Sequence, residues 1–280
     1  MKTATYHLLD VFTDTRFAGN QLAVFLDADA FESATCQAIA RELNLAETVF
    51  LGRADAANRY PMRIFTPVEE LDFAGHPTVG TAWLLADLGL VDRRQTLTLV
   101  PPVGALPITF DADRASFITA RPARIEPSAL DGPAAAALLG LEAHQVVGTP
   151  VISSCGLAFH LIELRDLTAL AAVSLSAAEW KARVAPTGVE QVYLYVTDTP
   201  PLLRTRMFSR EHGVCEDAAT GSAAAALSGY LATTGTARRW ALHQGVEMGR
   251  PSVIDTAMEA DRVRVGGRAV WVGKGELRID

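Results

Sequence analysis

Residues 220–231 contain no charged side chain, and residues 78–88 contain one, Asp87. Both stretches read as helices; the first-half one has Pro77 near its start and Gly89 just past its end. A helix that is apolar all round has no face to give to water, so it must be buried on every side. The rest of the chain reads mostly as short strands. In the first half these are residues 7–13, 21–26, 48–51, 62–66, 96–100 and 106–110. In the second half they are 157–164, 191–196, 203–208, 241–248, 252–258, 262–265 and 269–272, again separated by Gly, Pro and Asp. A third helix over 31–43 is amphipathic, with Cys36, Ile39, Ala40 and Leu43 on one stripe. Short strands around wholly apolar helices predict sheets wrapped about central helices.

A weak internal repeat points the same way. Arg63-Ile64-Phe65-Thr66 resembles Arg206-Met207-Phe208-Ser209, an offset of 206 − 63 = 143. Gly80-Thr81-Ala82 aligns with Gly221-Ser222-Ala223 at 221 − 80 = 141, which sets His76 against Asp217. With 280 residues, two similar domains of half the length each retain enough interior for a core.

The Gly/Thr/Ser-rich turn opening each apolar helix suits an anion, because a helix N-terminus leaves N–H groups unpaired and carries partial positive charge. Thr78, Thr220 and Ser222 add hydroxyls there, though Ser and Thr serve equally as simple caps. His76, between Gly75 and Pro77, sits at the mouth of one helix. Glu216-Asp217 precedes the other, where acidic residues also favour the helix dipole. Glu47 lies between a helix and a strand, a position that by spacing alone reads as a solvated loop carboxylate.

Several classes are excluded or disfavoured. The formal charge is 25 − 32 = −7 without a basic block, which argues against nucleic acid or an anionic membrane as partner. The N-terminal stretch, interrupted by Asp10 and Asp14, does not read as a secretory signal, and none is expected. The uncharged 218–237 segment has only Leu227 and Leu231 as large aliphatics and reads as a buried helix rather than a membrane span. Cys36, Cys155 and Cys215 form no CxxC, so a reducing cytoplasm is the expected location. There is no GxSxG, no Walker loop, no strand–GxGxxG–helix and no HExxH, and the six histidines show no ligand spacing, so no metal is expected.

Taken together, several segments resemble the PhzF-like phenazine-biosynthesis isomerase family. They are Asp10-Val11-Phe12-Thr13 with Phe17-Ala18-Gly19-Asn20, Ile39-Ala40-Arg41-Glu42 with Asn44-Leu45-Ala46-Glu47-Thr48, Arg63-Ile64-Phe65-Thr66-Pro67 with Phe73-Ala74-Gly75-His76-Pro77-Thr78, and Glu216 through Ala223. The resemblance implies an α+β fold of two pseudo-symmetric diaminopimelate-epimerase-like domains, each a curved, mostly antiparallel, barrel-like sheet around a central helix. The domains are expected at 1–115, with 270–280 returning to it, and at 116–269, with the active site in the cleft between them. The founding member isomerises trans-2,3-dihydro-3-hydroxyanthranilate without a cofactor.

By the same resemblance Glu47 is the acid/base, and His76 and Asp217 assist proton transfer. The resemblance also implies that Asn20, Gly75, Gly221 and Ser222 bind the substrate and that the protein is a homodimer; Thr78 joins them, and the substrate is expected to carry a carboxylate, because of the helix N-termini. A Glu near its ordinary pKa is a weak base and a poor acid at neutral pH, so a closed cleft that raised it would help. Related amino-acid epimerases carry two cysteines where His76 and Asp217 stand, which disfavours two-thiol racemisation here; Cys215 reads as structural. Gln21, Ala46, Asp72 and Ala218 depart from the family's usual residues. An epimerase and a non-catalytic binding protein are the competing readings.

Overall fold

The computed structural model describes residues 2–199, 202–209 and 216–279. The chain divides into two compact units, residues 1–118 with 266–280, and residues 119–265. The boundary expected at 115/116 falls three residues before this one. That cut would split a hairpin, because Arg114–Ile118 pairs with the preceding strand through Asp111↔Arg114 and Ile108↔Phe117. Cys215 lies outside the described residues.

In the first unit the strands are β1 (Lys2–Val11), β2 (Asn20–Phe25), β3 (Glu47–Leu51), β4 (Arg59–Phe65), β5 (Glu70–Leu71), β6 (Leu97–Val100), β7 (Leu106–Asp111) and β8 (Arg114–Ile118). Helix α1 (Ser33–Leu43) joins β2 to β3, and α2 (Gly75–Asp87) lies between β5 and β6. Each of these two connections is a parallel crossover, β2 with β3 and β4 with β6; the other pairings are antiparallel. The chain's last strand, β18 (Ala269–Ile279), pairs antiparallel with β1 along its whole length.

Helix α2 is the axis of this unit. Strands β1, β2, β3, β6, β8 and β18 all pack against it, and ten of its thirteen residues are buried. Val79, Leu84 and Leu85 are fully enclosed, each contributing ~1.5–3 kcal/mol by transfer from water. Gly80 admits this closeness: a Cβ there would lie 2.6 Å from Leu22 Cδ2 and from Val11 Cγ2.

The second unit repeats the plan. Its strands are β9 (Arg124–Pro127), β10 (Val146–Ser154), β11 (Ala158–Leu164), β12 (Gln191–Thr199), β13 (Leu202–Ser209), β14 (Glu216–Asp217), β15 (Arg239–Gln244), β16 (Ser252–Glu259) and β17 (Arg262–Gly267), the last running into the unit boundary. Its helices are α3 (Gly132–Leu139), α4 (Leu167–Ala172), α5 (Ala177–Glu179) and α6 (Gly221–Thr234). Parallel crossovers recur at the same places: β11 with β12 around α4 and α5, and β13 with β15 around β14 and α6. Helix α6 is buried from Ala223 through Gly229. Gly229 presses on Ala123, where an added Cβ would come within 2.3 Å of the Ala123 Cβ.

The repeat is real, but its register differs from the sequence alignment. Ile64 pairs with Leu71 as Met207 pairs with Asp217, and Phe65 with Glu70 as Phe208 with Glu216. Beyond the strand the offset is therefore 216 − 70 = 146, and the helices begin at 221 − 75 = 146. The Gly-Thr-Ala/Gly-Ser-Ala match at 141 sets a mid-helix glycine against a helix-opening one and is accidental. In the correct register His76 corresponds to Ser222, each the second residue of its helix, and Asp217 corresponds to Leu71.

The matched ion pairs confirm this register. Arg63 holds Glu70 through two bonds of 2.7 Å, and Arg206 holds Glu216 through bonds of 2.8 and 2.9 Å. Each guanidinium also lies 4.9 Å above a phenyl ring two residues on, Phe65 or Phe208. Glu216, half of the acidic pair read from the sequence, is thus committed to Arg206. Among the described residues, no helix is long and apolar enough to cross a membrane.

Candidate active site

Asn20 opens β2 after a turn that only glycine fits at residue 19. Gly19 has φ +62°, and a Cβ there would lie 2.3 Å from the Val11 carbonyl oxygen. The buried Asp10 carboxylate fastens the same loop by accepting the Phe17 N–H at 2.6 Å. Glu47 opens β3. Asn44 ends α1 in the left-handed conformation, its N–H returning to Ala40 O, and the chain then turns so that Glu47 pairs with Leu22. The Glu47 side chain is 18% exposed, so the solvated reading is wrong. His76 is 4% exposed.

These three side chains converge. Asn20 Nδ2 is 3.4 Å from His76 Nδ1, and Glu47 Oε2 is 3.5 Å from the same nitrogen. Burial pulls the His76 imidazole down to about 3, offset only in part by a backbone hydrogen bond with Gln21. The ring is therefore neutral near pH 7, and its contact with Glu47 is not an ion pair. His76 Nε2 is buried with no hydrogen-bond partner among the described residues. A buried polar atom left unpaired costs about 1–3 kcal/mol, so this nitrogen is a group a ligand can satisfy. Gly75 is buried at the start of α2. Thr78 is fully buried and its hydroxyl donates to Ala74 O at 2.8 Å. That proton is spent inside the helix, which removes Thr78 as a donor.

The second unit builds a different constellation at its corresponding turn. Asp217 closes β14, and Thr220, Gly221 and Ser222 lead into α6. The Thr220 hydroxyl donates to Asp217 Oδ2 at 2.6 Å. Behind them stands Gln244, fully buried. Its Nε2 donates to Asp217 O at 2.8 Å and to Thr220 Oγ1 at 2.9 Å, and its Oε1 accepts from Thr220 N at 3.2 Å. Tyr193 completes the set, its hydroxyl 3.1 Å from Gln244 Oε1 and 3.0 Å from Thr205 Oγ1. Burial pushes the Tyr193 phenol well above its usual range, with Asp217 adding to the effect, so it stays protonated. Ser222 is half-buried.

The two constellations are chemically unequal. Thr48 pairs with Phe65 as Val192 pairs with Phe208, so Gln191, buried, takes the register position of Glu47. Only the first unit has a carboxylate at that strand position; only the second has one at the position of Asp217, where the first has Leu71. Sequence reasoning missed Gln191, Tyr193 and Gln244. The readable signal for Gln244 was a polar side chain ending an otherwise alternating strand, followed by Gly245. Among the described residues no group of three or more His, Cys, Asp or Glu is placed to hold a metal ion.

A family model described as phenazine biosynthesis-like protein (PhzC-PhzF) matches residues 9–275. An uncharacterised isomerase of Mesorhizobium japonicum is 36% identical, with 100% of both chains covered. The trans-2,3-dihydro-3-hydroxyanthranilate isomerase of Pseudomonas chlororaphis is 34% identical over 97% of this chain and 98% of that protein. Among solved structures, a phenazine biosynthesis protein of Bacillus anthracis superposes with a TM-score of 0.90, covering 100% of both chains at 24% identity, and so shares the fold.

Proposed function

Since the chain belongs to the phenazine biosynthesis-like (PhzC-PhzF) family, we propose that it is a cofactor-independent isomerase of a small carboxylated molecule. The substrate is trans-2,3-dihydro-3-hydroxyanthranilate or a close relative, the compound named for the Pseudomonas chlororaphis protein. The observation that carries this reading is the Glu47 carboxylate 3.5 Å from a buried histidine whose second nitrogen has no hydrogen-bond partner among the described residues. Glu47 takes a proton from one carbon of the substrate and returns it to another as the double bond shifts, so no atom is gained or lost. A base must stand next to the proton it removes, with donors aimed at the charge that develops.

The neutral His76 imidazole hydrogen-bonds the substrate without adding charge. Asp217 serves as the second proton-handling group, and the N–H groups at the start of α6, with the Ser222 hydroxyl, suit a substrate carboxylate. The inequality of the two constellations supports an isomerase over a symmetric two-base epimerase, because Glu47 and Asp217 do not occupy corresponding positions.

The test is NMR of trans-2,3-dihydro-3-hydroxyanthranilate in D₂O with the protein and with Glu47→Gln. Deuterium entering the product carbon, lost by at least ~10² in the variant, supports the reading. Turnover by Glu47→Gln at the normal rate would remove Glu47 from the mechanism. Exchange with inversion at one carbon and no double-bond shift would make the protein an epimerase.

A further inference from the structure

We propose that Phe17 is a specificity-determining residue whose phenyl ring selects a substrate with a planar hydrocarbon ring. This rests on the reading of Asn20, Glu47 and His76 as a substrate site. Among the described residues, Phe17, Val68 and Val103 are the three most exposed large hydrophobic side chains, at 72%, 60% and 58%. Single apolar side chains scattered over a surface need no explanation, whereas several gathered beside buried polar groups do.

Topology brings all three to one end of the first unit. Phe17 lies in the β1–β2 loop, three residues before Asn20, which enters β2 opposite Val11. Strand β4 runs antiparallel to β3 with Phe65 opposite Thr48, so the turn after β4 that carries Val68 stands at the Glu47 end of β3. Strand β6 runs parallel to β4, with Val100 beside Pro61, so the loop after β6 leaves toward the same end. In that loop the Val103 N–H donates to Asp72 O at 3.2 Å, three residues before α2 begins. The three apolar side chains therefore border the end at which Asn20 and Glu47 open their strands and His76 enters α2.

The fold fixes Phe17 in a costly conformation. Its φ is +68°, a region that bulky side chains avoid. The Asp10 carboxylate holds the Phe17 N–H at 2.6 Å. The rest of the loop is tied to the start of β18 and the residue before it: the Phe12 N–H donates to Arg268 O at 2.8 Å, Arg268 Nη1 to Asp14 Oδ2 at 2.8 Å, and Arg16 Nε to Trp271 O at 2.8 Å. Such strain persists where the surroundings over-determine it, and it gathers at ligand clamps. A ring that served the core would be covered, and this one is both strained and exposed. Buried polar groups bordered by exposed apolar ones suit a small molecule with polar substituents on one edge and hydrocarbon on the other, and a phenyl face packs well against a planar ring.

The probe is 2-aminobenzoate, a planar ring bearing a carboxylate and an amine, titrated calorimetrically into the full chain. Phe17→Asn removes the phenyl and keeps a residue that adopts the left-handed conformation readily. It is expected to bind the probe about 2- to 10-fold more weakly, with a melting temperature equal to or above that of the wild type. Phe17→Tyr, which keeps the ring, is expected to restore the affinity. Equal affinity in Phe17→Asn and the wild type would overturn the proposal, and if that variant also changed oligomeric mass the ring would belong to a contact between copies instead. A wild type that does not bind the probe, or an affinity lost only together with thermal stability, would overturn it as well. The two readings fail separately. If the wild type binds the probe but moves no deuterium into trans-2,3-dihydro-3-hydroxyanthranilate, the isomerase reading falls alone. If it isomerises that compound while Phe17→Asn binds the probe as tightly as the wild type, the role of Phe17 falls alone.

Discussion

Acid should destabilise this protein through His76, and the size of the effect can be worked out. The imidazole titrates at about 3 in the folded chain because burial removes water from its charged form, against an unfolded value of 6.5. Between these limits the unfolded state binds a proton that the folded state does not, so stability falls as pH falls. The loss is ~1.4 kcal/mol per pH unit. From neutrality to pH 4.5, two units below the unfolded pKa, this amounts to about 2.7 kcal/mol, a large fraction of an ordinary folding free energy. The loss levels off below about 3.

His160, lowered to about 4 mainly by burial, adds a second such contribution. It is common to the wild type and to His76→Gln, so the difference between the two proteins isolates His76. Urea unfolding of both, from pH 4 to 7, should show a curve shallower by ~1.4 kcal/mol per unit in the variant. Equal slopes, or a His76 ring that titrates near its ordinary value by NMR, would refute the argument. The same experiment tests the chemistry, since a His76 that charged readily would make an ion pair with Glu47 and not a neutral hydrogen-bonding surface.

Other outcomes follow from the same geometry. Glu216→Ala should cost about 3 kcal/mol in chemical denaturation, because it strands the Arg206 guanidinium, whose side chain is 9% exposed. The counterpart Glu70→Ala, at a pair about one-third exposed, should cost about 1 kcal/mol or less, and equal losses would deny that burial sets the difference. Gly229→Ala should lower stability by ~1–3 kcal/mol through overpacking on Ala123, read as a shifted denaturation midpoint; no shift would mean that Ala123 moves aside at little cost. Ser222→Ala should weaken binding of a substrate-like carboxylate in calorimetry while leaving thermal stability unchanged, and unaltered affinity would return Ser222 to a capping role.

Much of the architecture was legible because hydrophobic patterning reports burial directly. The two helices with almost no charge are the buried axes of the two units, and β16 runs Ser252–Glu259 where 252–258 was expected. Other elements slipped. The strand expected over 241–248 ends at Gln244, because Gly245 turns the chain at φ +73°. Helix α3 was not anticipated, although its signals are plain: Asp131 caps Ala134 N, Pro133 stands in the first turn and Gly140 ends it in the left-handed conformation.

By itself the sequence determined that two apolar helices must be enclosed by strands, that a half-length repeat is present, and that Glu47, His76 and Asp217 are set at element ends. These follow from composition along a local stretch, which a linear string carries intact. Tertiary structure alone decided the register of the repeat, and with it that His76 answers to Ser222. That register is set by strand pairing and by the Arg206–Glu216 clamp, partners ten residues apart that no local match can align. It also decided which side chain braces the turn before α6, since Gln244 is 24 residues from the Thr220 it bonds. Hydrogen bonds between side chains depend on distance and direction in space, and only the folded chain supplies those.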